Sequence, residues 1–337
     1  MALCLYRLVN LGKIMSVFKK LALGISVFAL LCATSAQAQL TKMTIATGVD
    51  PGFGAFYVAK AAGIFEKNGL DVQVNTGPSG SAMVAFVIQN QVQASFGAEQ
   101  AGVQNFNIDN NVVVVAEGTK LVSWFGLVAR NVANIEGLKG KKIGVARGSG
   151  SEVFWLAIVE KHKLNLKDYT VVQVDAPEMV AALERGDIDA FTSWEPWLTR
   201  ATMAIKNTTI LVDSKGIMNP RVFIYLNKGW AEKNKPAALA FMRSMIEATK
   251  LMNTERAKAV DYISGFLKLD KDLTRNLMDK VEYKIVLDEG TLSNFVMVEK
   301  QLAESKKLTK AVDWNKFIYA DLLKEIDPTM VNYTLPK

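Results

Sequence analysis

Two acidic residues that each follow an apolar strand are well suited to ligand chemistry. Glu99 follows the predicted strand 92–96, and Glu195 follows the predicted strand 188–191. At a helix start, such a carboxylate stabilises the helix dipole, or it accepts hydrogen bonds from an amine or amidine of a ligand. The dipole role is favoured for Glu99, and both interpretations stay open for Glu195. Acid–base catalysis by the pair is not indicated, because no nucleophile or metal ligand accompanies them.

Two serine–glycine turns have the chemistry of an anion site. Residues 78–81 (PSGS) and 148–151 (GSGS) each open a predicted helix after a strand. Free amides, the positive end of a helix dipole and a hydroxyl meet at such a turn, although the same residues also serve as ordinary helix caps. We interpret the two turns as matching positions in two halves of the chain, which favours binding. Neither is a Walker loop, because no Gly-Lys-Ser/Thr follows.

Aromatic side chains near these turns could form a wall of the site. Trp194 and Phe53 are favoured because they lie in predicted loops, and Trp124 and Trp155 compete for the role. His162 is the single histidine and lies late in a predicted helix among charged residues, which predicts a solvated position. The sequence therefore offers little for a zinc site or a Ser-His-Asp triad. We expect no metal and no cofactor.

The elements that must position these residues occur twice. The segment that starts at Met83 matches the segment that starts at Met179, so that Glu99 falls on Glu195 at a shift of 96. A second match at a shift of 98 brings residue 45 onto residue 143. Each half reads strand–loop–helix–strand–helix–strand, which indicates a duplication. Because open α/β sheets bind ligands beyond the carboxyl ends of their strands, two facing lobes predict a small-molecule cleft.

Residues 1–38 have the pattern of a cleaved secretory signal peptide. Basic residues precede the apolar run LALGISVFALLCA, which ends in AQA and is shorter than the ~20 residues of a membrane span. Residue 15 by itself would begin a complete signal peptide, so translation of residues 1–14 stays open. Cleavage after residue 38 would remove both cysteines and lower the formal charge from +7 to +3. No basic run is interleaved with aromatics, so we expect no nucleic acid partner.

The element pattern predicts an α/β fold of two lobes with a helical tail. We expect residues 39–130 to form the first part of lobe 1, residues 131–222 to form lobe 2, and residues 223–337 to supply a return strand and helices packed on lobe 1. The tail is predicted as helical throughout, with helices at 236–252, 256–267, 272–281, 291–304 and 315–325. Crossings near 130 and 221 would make a two-strand hinge.

Five segments between residues 43 and 225 resemble, in order and spacing, the nitrate/sulfonate/taurine-type solute-binding proteins of ABC importers. They are GVDPGFGAFYVAKAAGIFEKNGLDV, TGPSGSAMV, ASFGAEQA, IGVARGSGSE and APEMVAALERGDIDAFTSWEPW. The resemblance implies a type II periplasmic-binding-protein fold with two hinged lobes. It also implies a solute held between the lobes and delivered to a membrane permease that a separate ATPase drives. We expect a periplasmic monomer.

The resemblance also implies which residues contact the ligand. Carried onto this sequence they are Asp50, Phe53, Gly80, Ser81, Gly97, Ala98, Glu99, Ser149, Gly150, Ser151, Trp194 and Glu195. Arg147 is the one arginine in the loops expected to line the cleft. Taurine, other sulfonates, nitrate, aromatic carboxylates and aminopyrimidines all stay open as solutes. The two glutamates and the aromatics favour a ring or an amine.

Two other functions stay open from the sequence. One is an enzyme on the same fold, similar to the pyrimidine-precursor synthases that consume their own histidine. It is disfavoured, because His162 is in the wrong setting and the predicted leader exports the chain. The other is a ligand-sensing partner of a membrane receptor, which the sequence does not separate from a transport protein.

Overall fold

The computed structural model describes residues 39–335, so the predicted signal peptide lies outside the described residues. The strands in this part are β1 (Thr41–Thr47), β2 (Leu70–Thr76), β3 (Ala94–Gly97), β4 (Val112–Leu121), β5 (Phe125–Arg130), β6 (Lys142–Val145), β7 (Thr170–Gln173), β8 (Ala190–Trp194), β9 (Thr208–Asp213), β10 (Arg221–Asn227), β11 (Val281–Asp288) and β12 (Val331–Asn332).

The helices of the same part are α1 (Gly54–Ala61), α2 (Ile64–Lys67), α3 (Gly80–Ile88), α4 (Glu99–Ile108), α5 (Gly150–Lys161), α6 (Met179–Arg185), α7 (Trp197–Ala204), α8 (Lys228–Lys233), α9 (Lys235–Thr254), α10 (Arg256–Leu267), α11 (Lys271–Met278), α12 (Glu289–Glu304), α13 (Trp314–Phe317) and α14 (Asp321–Ile326). Within residues 39–335, no helix combines the length and apolarity that a membrane crossing requires.

The strands form two separate sheets that share one plan. The first sheet has the order β12-β11-β4-β10-β3-β1-β2, and the second has the order β7-β6-β8-β5-β9. In each sheet three neighbouring strands run parallel and the next runs antiparallel to them. The order β2-β1-β3-β10-β4 is therefore repeated as β7-β6-β8-β5-β9, which agrees with two similar α/β halves.

Strand register reproduces the internal repeat. Ile45 of β1 pairs with Ala94 of β3, and Ile143 of β6 pairs with Ala190 of β8. The second pair follows from the first by the sequence shifts of 98 and 96. All four side chains are fully buried, as expected for central parallel strands covered by helices on both faces. Residues that match in sequence thus occupy equivalent places in the two sheets.

The chain passes between the sheets twice, at residues 122–124 and at residues 214–220. The first passage lies earlier than predicted: β5 pairs with β8 and β9, so the lobe boundary expected after Arg130 is corrected to residues 122–124. The sequence 121–129 has a strand-like composition. Ser123 interrupts it with a φ of 48°, which extended strands do not adopt.

The C-terminal part packs on the first sheet, but it is not helical throughout. Helices α9 and α10 contact α1, and α12 contacts α4. Strand β11 was not predicted; it pairs antiparallel with β4, and the helix expected over 272–281 ends at Met278. In β11 every second side chain is buried, namely Val281, Tyr283, Ile285 and Leu287. This period-two pattern is typical of a half-buried strand, so the signal was present in the sequence.

Candidate functional site

A cavity of 620 Å³ is lined by residues of both sheets. Its wall includes Asp50 after β1, Ala98 after β3, Ser149 after β6 and Trp194 at the end of β8. Open α/β sheets present their binding loops at these carboxyl ends of strands. The volume lies in the range of small-molecule sites.

Nine of the twelve residues predicted to contact a ligand line this cavity. They are Asp50, Phe53, Gly80, Ser81, Ala98, Glu99, Ser149, Gly150 and Trp194. The other three are Gly97, Ser151 and Glu195, and each has a structural role next to the cavity.

Gly97 and Ser151 hold helices against the sheets. A Cβ atom on Gly97 would lie 2.6 Å from Val84 Cγ2, so glycine lets α3 pack closely on β3. The Ser151 hydroxyl donates to the carbonyl oxygen of Thr192 (2.6 Å) and accepts from the Ala146 amide (3.1 Å). These bonds join the start of α5 to β8 and to the end of β6.

The Glu195 side chain binds other residues of this chain and does not line the cavity. Its carboxylate accepts a hydrogen bond from the Thr199 amide (3.1 Å) in the first turn of α7, and it pairs with Lys280 Nζ at 2.8 Å. The side chain of Glu195 is 2% exposed. The structure therefore favours the helix-dipole interpretation for Glu195 over the ligand-acceptor interpretation. Its ion pair with Lys280 also ties it to the segment before β11. Its neighbour Trp194 lines the cavity.

The two serine–glycine turns do not occupy matching positions, so that interpretation of the sequence is wrong. Residues 79–81 begin the second helical segment of the first half, whereas residues 149–151 begin the first helix of the second half. A shift of 96 from Gly80 leads to Ala176, in the turn before α6, which does not line the cavity. Both turns border the same cavity, and the tertiary structure brings them there from non-equivalent places.

Backbone amides at both turns are available to a ligand. The Ser79 hydroxyl accepts from the Ala82 amide (3.1 Å), and the Ser149 hydroxyl accepts from the Ser151 amide (3.2 Å). Each serine is thus an N-cap that satisfies one of the free amides of its helix start. The amides without an acceptor among residues 39–335 include those of Gly80, Ser81 and Gly150. An acceptor oxygen of a ligand could accept hydrogen bonds from these amides.

Asp50 is a buried carboxyl group in the cavity wall. It is 2% exposed, and its Oδ1 accepts from the Gly52 amide (2.8 Å). Burial raises the pKa of Asp50 to about 8, while hydrogen bonds from the Gly52 amide and the Trp194 side chain act to lower it. The Tyr283 hydroxyl donates to the Pro51 carbonyl oxygen (2.9 Å) and holds the loop.

Glu99 is a second buried carboxyl group in the wall, at the start of α4. It is 6% exposed and accepts a hydrogen bond from the side-chain amide of Asn294 in α12. Burial raises the pKa of Glu99 to about 8, and the negative charge of Glu117 raises it further. Its own amide, the Arg221 amide and the positive charge of Arg221 act in the opposite direction. Glu99 therefore meets the geometric requirement of both interpretations, because it stands at a helix start and lines the cavity.

Two basic side chains line the cavity, and both are paired with protein carboxylates. Arg221 pairs with the fully buried Glu117, and Lys307 pairs with Glu152 at 2.9 Å. Arg147, the arginine expected from the sequence, is not among the lining residues. Neither lining residue had a local signal in the sequence, because Arg221 opens a strand and Lys307 follows a C-terminal helix.

Four buried aromatic side chains line the cavity: Phe53, Trp124, Phe125 and Trp194. Phe125 and Trp194 are tilted against each other, with ring centroids 5.9 Å apart. Phe53 and Trp194 are the two that the loop positions favoured in the sequence. Trp155 lies in the core instead.

Helix α12 supplies a wall that was not predicted. Its contributing residues are Asn294, Met297, Val298, Gln301, Leu302 and Glu304. Met297 is 49% exposed and Leu156 of α5 is 42% exposed, so two large apolar side chains lie at the mouth of the cavity. No motif marks this wall, since α12 reads as an ordinary amphipathic helix.

Known proteins resemble this chain in sequence and in fold. A Bacillus subtilis (strain 168) protein named for binding aliphatic sulfonates is 28% identical over 184 residues, which are 54% of each chain. The taurine-binding periplasmic protein of Escherichia coli (strain K12) is 27% identical over 224 residues, which are 63% of this chain and 67% of that protein. This chain therefore spans only about half of the first relative.

A solved structure shares the fold. The alkanesulfonate-binding protein SsuA from Xanthomonas axonopodis pv. citri, bound to MOPS, superposes with a TM-score of 0.73 over 84% of this chain and 99% of its own, at 15% identity. The predicted periplasmic-binding-protein fold is confirmed. A family model described as NMT1/THI5 like matches residues 50–259, more than half of the chain and most of the loops that line the cavity. The chain belongs to the NMT1/THI5-like family.

Proposed function

We propose that this chain is the periplasmic substrate-binding component of an ABC importer. It captures a small organic solute in the cavity between its lobes and delivers it, as a monomer, to a permease with a separate ATPase. Membership of the family and the names of the sulfonate- and taurine-binding relatives support this role. The export signal predicted over residues 1–38 supports the location.

One observation carries the proposal: residues from both sheets line one cavity, and they bring free backbone amides and aromatic rings to it. The amides of Gly80 and Gly150 come from different sheets, and Phe53 and Trp194 do as well. A solute that contacts groups from both sheets is buried only when the two sheets are held together. Binding would therefore favour the closed arrangement, by an amount equal to the difference in affinity between the open and closed forms.

The two passages between the sheets suit a hinge. Residues 122–124 and 214–220 are short segments that connect strands of different sheets. Rotation about such segments lets two rigid lobes open and close around a ligand. Lobe closure without turnover is the expected behaviour of the protein in solution.

We infer that the chain does not act as a synthase that consumes its own histidine. His162 is exposed at the end of α5 and does not line the cavity. The relatives compared above are named as binding proteins. A ligand-sensing role would use the same cavity, and genes for a permease and an ATPase next to this one would favour transport.

A thermal-shift screen tests the function. The purified mature chain is heated with taurine, alkyl and aryl sulfonates, nitrate, aromatic acids and aminopyrimidines, each in turn. A solute at a hundredfold excess over its Kd stabilises the folded state by about 2.7 kcal/mol, which is a rise in Tm of several degrees. If no compound in any class raises Tm, the binding function loses its support.

A cavity-filling variant shows whether a shift comes from this site. Ser81 lines the cavity, and its hydroxyl has no hydrogen-bond partner among residues 39–335, so Ser81→Phe should block the site without removing a fold contact. Met203→Phe is the matched control, because Met203 is 78% exposed and does not line the cavity. A shift that survives Ser81→Phe would place the binding elsewhere.

A further inference from the structure

Two buried carboxyl groups of the cavity have no cationic partner. Asp50 and Glu99 are 2% and 6% exposed, and neither has a salt-bridge partner among residues 39–335. The two basic side chains that line the cavity are held by other carboxylates, Arg221 by Glu117 and Lys307 by Glu152. Without a cation the two carboxyl groups are protonated near neutral pH, and a ligand that brings a positive group would bind them as carboxylates, with release of their protons.

The aromatic wall points to the same missing group. Phe53, Trp124, Phe125 and Trp194 are each no more than 6% exposed, and all four line the cavity. The face of an aromatic ring carries negative potential, so it attracts an ammonium, amidinium or guanidinium group and does not attract an oxyanion. Trp194 and Asp50 line the same cavity, Trp194 at the end of β8 and Asp50 after β1.

We infer that the solute carries a positively charged nitrogen group and that the carboxyl groups of Asp50 and Glu99 recognise this group against the aromatic wall. The inference rests on the proposed solute-binding function and narrows its substrate class to organic cations and zwitterions. Simple oxyanions such as nitrate or an alkyl sulfonate without an amine are then poor ligands. The apolar side chains of Leu156 and Met297 at the mouth would cover part of the solute.

The helix starts do not oppose this assignment. Glu99 itself occupies the positive end of α4, so this helix has a resident carboxyl group. The amides of Gly80, Ser81 and Gly150 are left for an acceptor, which a carboxylate, sulfonate, carbonyl or ring nitrogen of the same solute would provide. A ligand with a cationic nitrogen and a separate acceptor satisfies both sets of groups.

The charge of the bound group is tested with three probes of nearly equal shape, namely benzamidine, benzamide and benzoate. Affinities are measured by isothermal titration calorimetry on the mature chain. We expect benzamidine to bind at least about tenfold more tightly than benzamide or benzoate, the difference that one charge-assisted hydrogen bond provides. Asp50→Asn and Glu99→Gln should each remove most of this preference, since both keep the shape and the acceptor oxygen.

Glu184→Gln serves as the matched control. Glu184 is exposed and does not line the cavity, so the loss of its charge should leave the preference for benzamidine unchanged. The Tm of each unliganded variant confirms that it is folded before its affinity is measured. Retention of the preference in the variant that carries both Asp50→Asn and Glu99→Gln would overturn the assignment.

Two further outcomes would also overturn it: benzoate binding more tightly than benzamidine, or no binding of any probe. Neither result would remove the solute-binding function, which the broader thermal-shift screen tests with other compounds. If an oxyanion raises Tm in that screen and benzamidine does not bind, the chain is a solute-binding protein that prefers anions to cations.

Discussion

The folded chain should lose stability as the pH rises from about 5 to about 7. Asp50 and Glu99 have ordinary pKa values of 3.8 and 4.5, and burial raises both to about 8. In this window the unfolded chain has released both protons and the folded chain keeps them. Since the folded state binds more protons, a rise in pH favours unfolding.

The size of the effect follows from the number of protons. Each retained proton changes the free energy of unfolding by about 1.4 kcal/mol per pH unit, so the two together give a slope of about −2.7 kcal/mol per unit. The carboxyl groups whose pKa is lowered by folding, among them Glu152 and Asp288, titrate below their ordinary values. They have lost their protons in both states above pH 5, so they leave this slope unchanged.

Urea unfolding followed by tryptophan fluorescence at pH 5, 6, 7 and 8 measures the slope. Asp50→Asn and Glu99→Gln should each reduce it by about half, and the double variant should show a nearly flat profile. Glu160→Gln, at an exposed position, should retain the full slope. Unfolding free energies that stay constant or increase between pH 5 and 7, or equal slopes in the wild type and the double variant, would refute the reasoning.

Two other perturbations test contacts next to the site, each by urea unfolding. Lys280→Met should destabilise the fold by about 1–3 kcal/mol, because it leaves the buried Glu195 carboxylate without its counter-ion. Adding Glu195→Gln to this variant should restore much of the lost stability. If the destabilising effects of the two substitutions simply add, this account is contradicted. Gly80→Ala should cost about 1–3 kcal/mol, because the new methyl group would overlap the carbonyl oxygen of Phe96. Gly265→Ala, in a helix with open space around it, should stabilise by about 0.5–1 kcal/mol, and a loss as large as that of Gly80→Ala would show that the close packing of Gly80 is irrelevant.

Much of the architecture could be predicted because local patterns carry it. The order of strands and helices up to β10 follows from apolar periodicity, which each element carries in its own residues. The shifts of 98 and 96 even predicted which residues take equivalent places, as Ile45 and Ile143 do. Strand β11 also has a local signal, because apolar residues occupy every second position of VEYKIVLD and these are the buried ones.

The limits of prediction lie in contacts between distant parts of the chain. Ser151 and Glu195 occur in the predicted loops, but their side chains bind Thr192 and Lys280 and do not line the cavity. Side-chain direction depends on which partner lies within hydrogen-bond reach, and spacing along the chain does not contain that information. The interpretation of the serine–glycine turns as a repeated pair failed for a different reason, because the shift of 96 already leads from Gly80 to Ala176 in the sequence.

The sequence by itself determined the two α/β halves, their internal symmetry and the segments that carry Asp50, Phe53, Gly80 and Trp194. Only the tertiary structure decided how the cavity is charged, because Glu99 meets Asn294 across 195 residues and Lys307 meets Glu152 across 155. Local residue patterns follow from backbone geometry, which acts over a few residues. Ion pairs, burial and the pKa values that follow from them depend on groups that become neighbours only when the whole chain has folded.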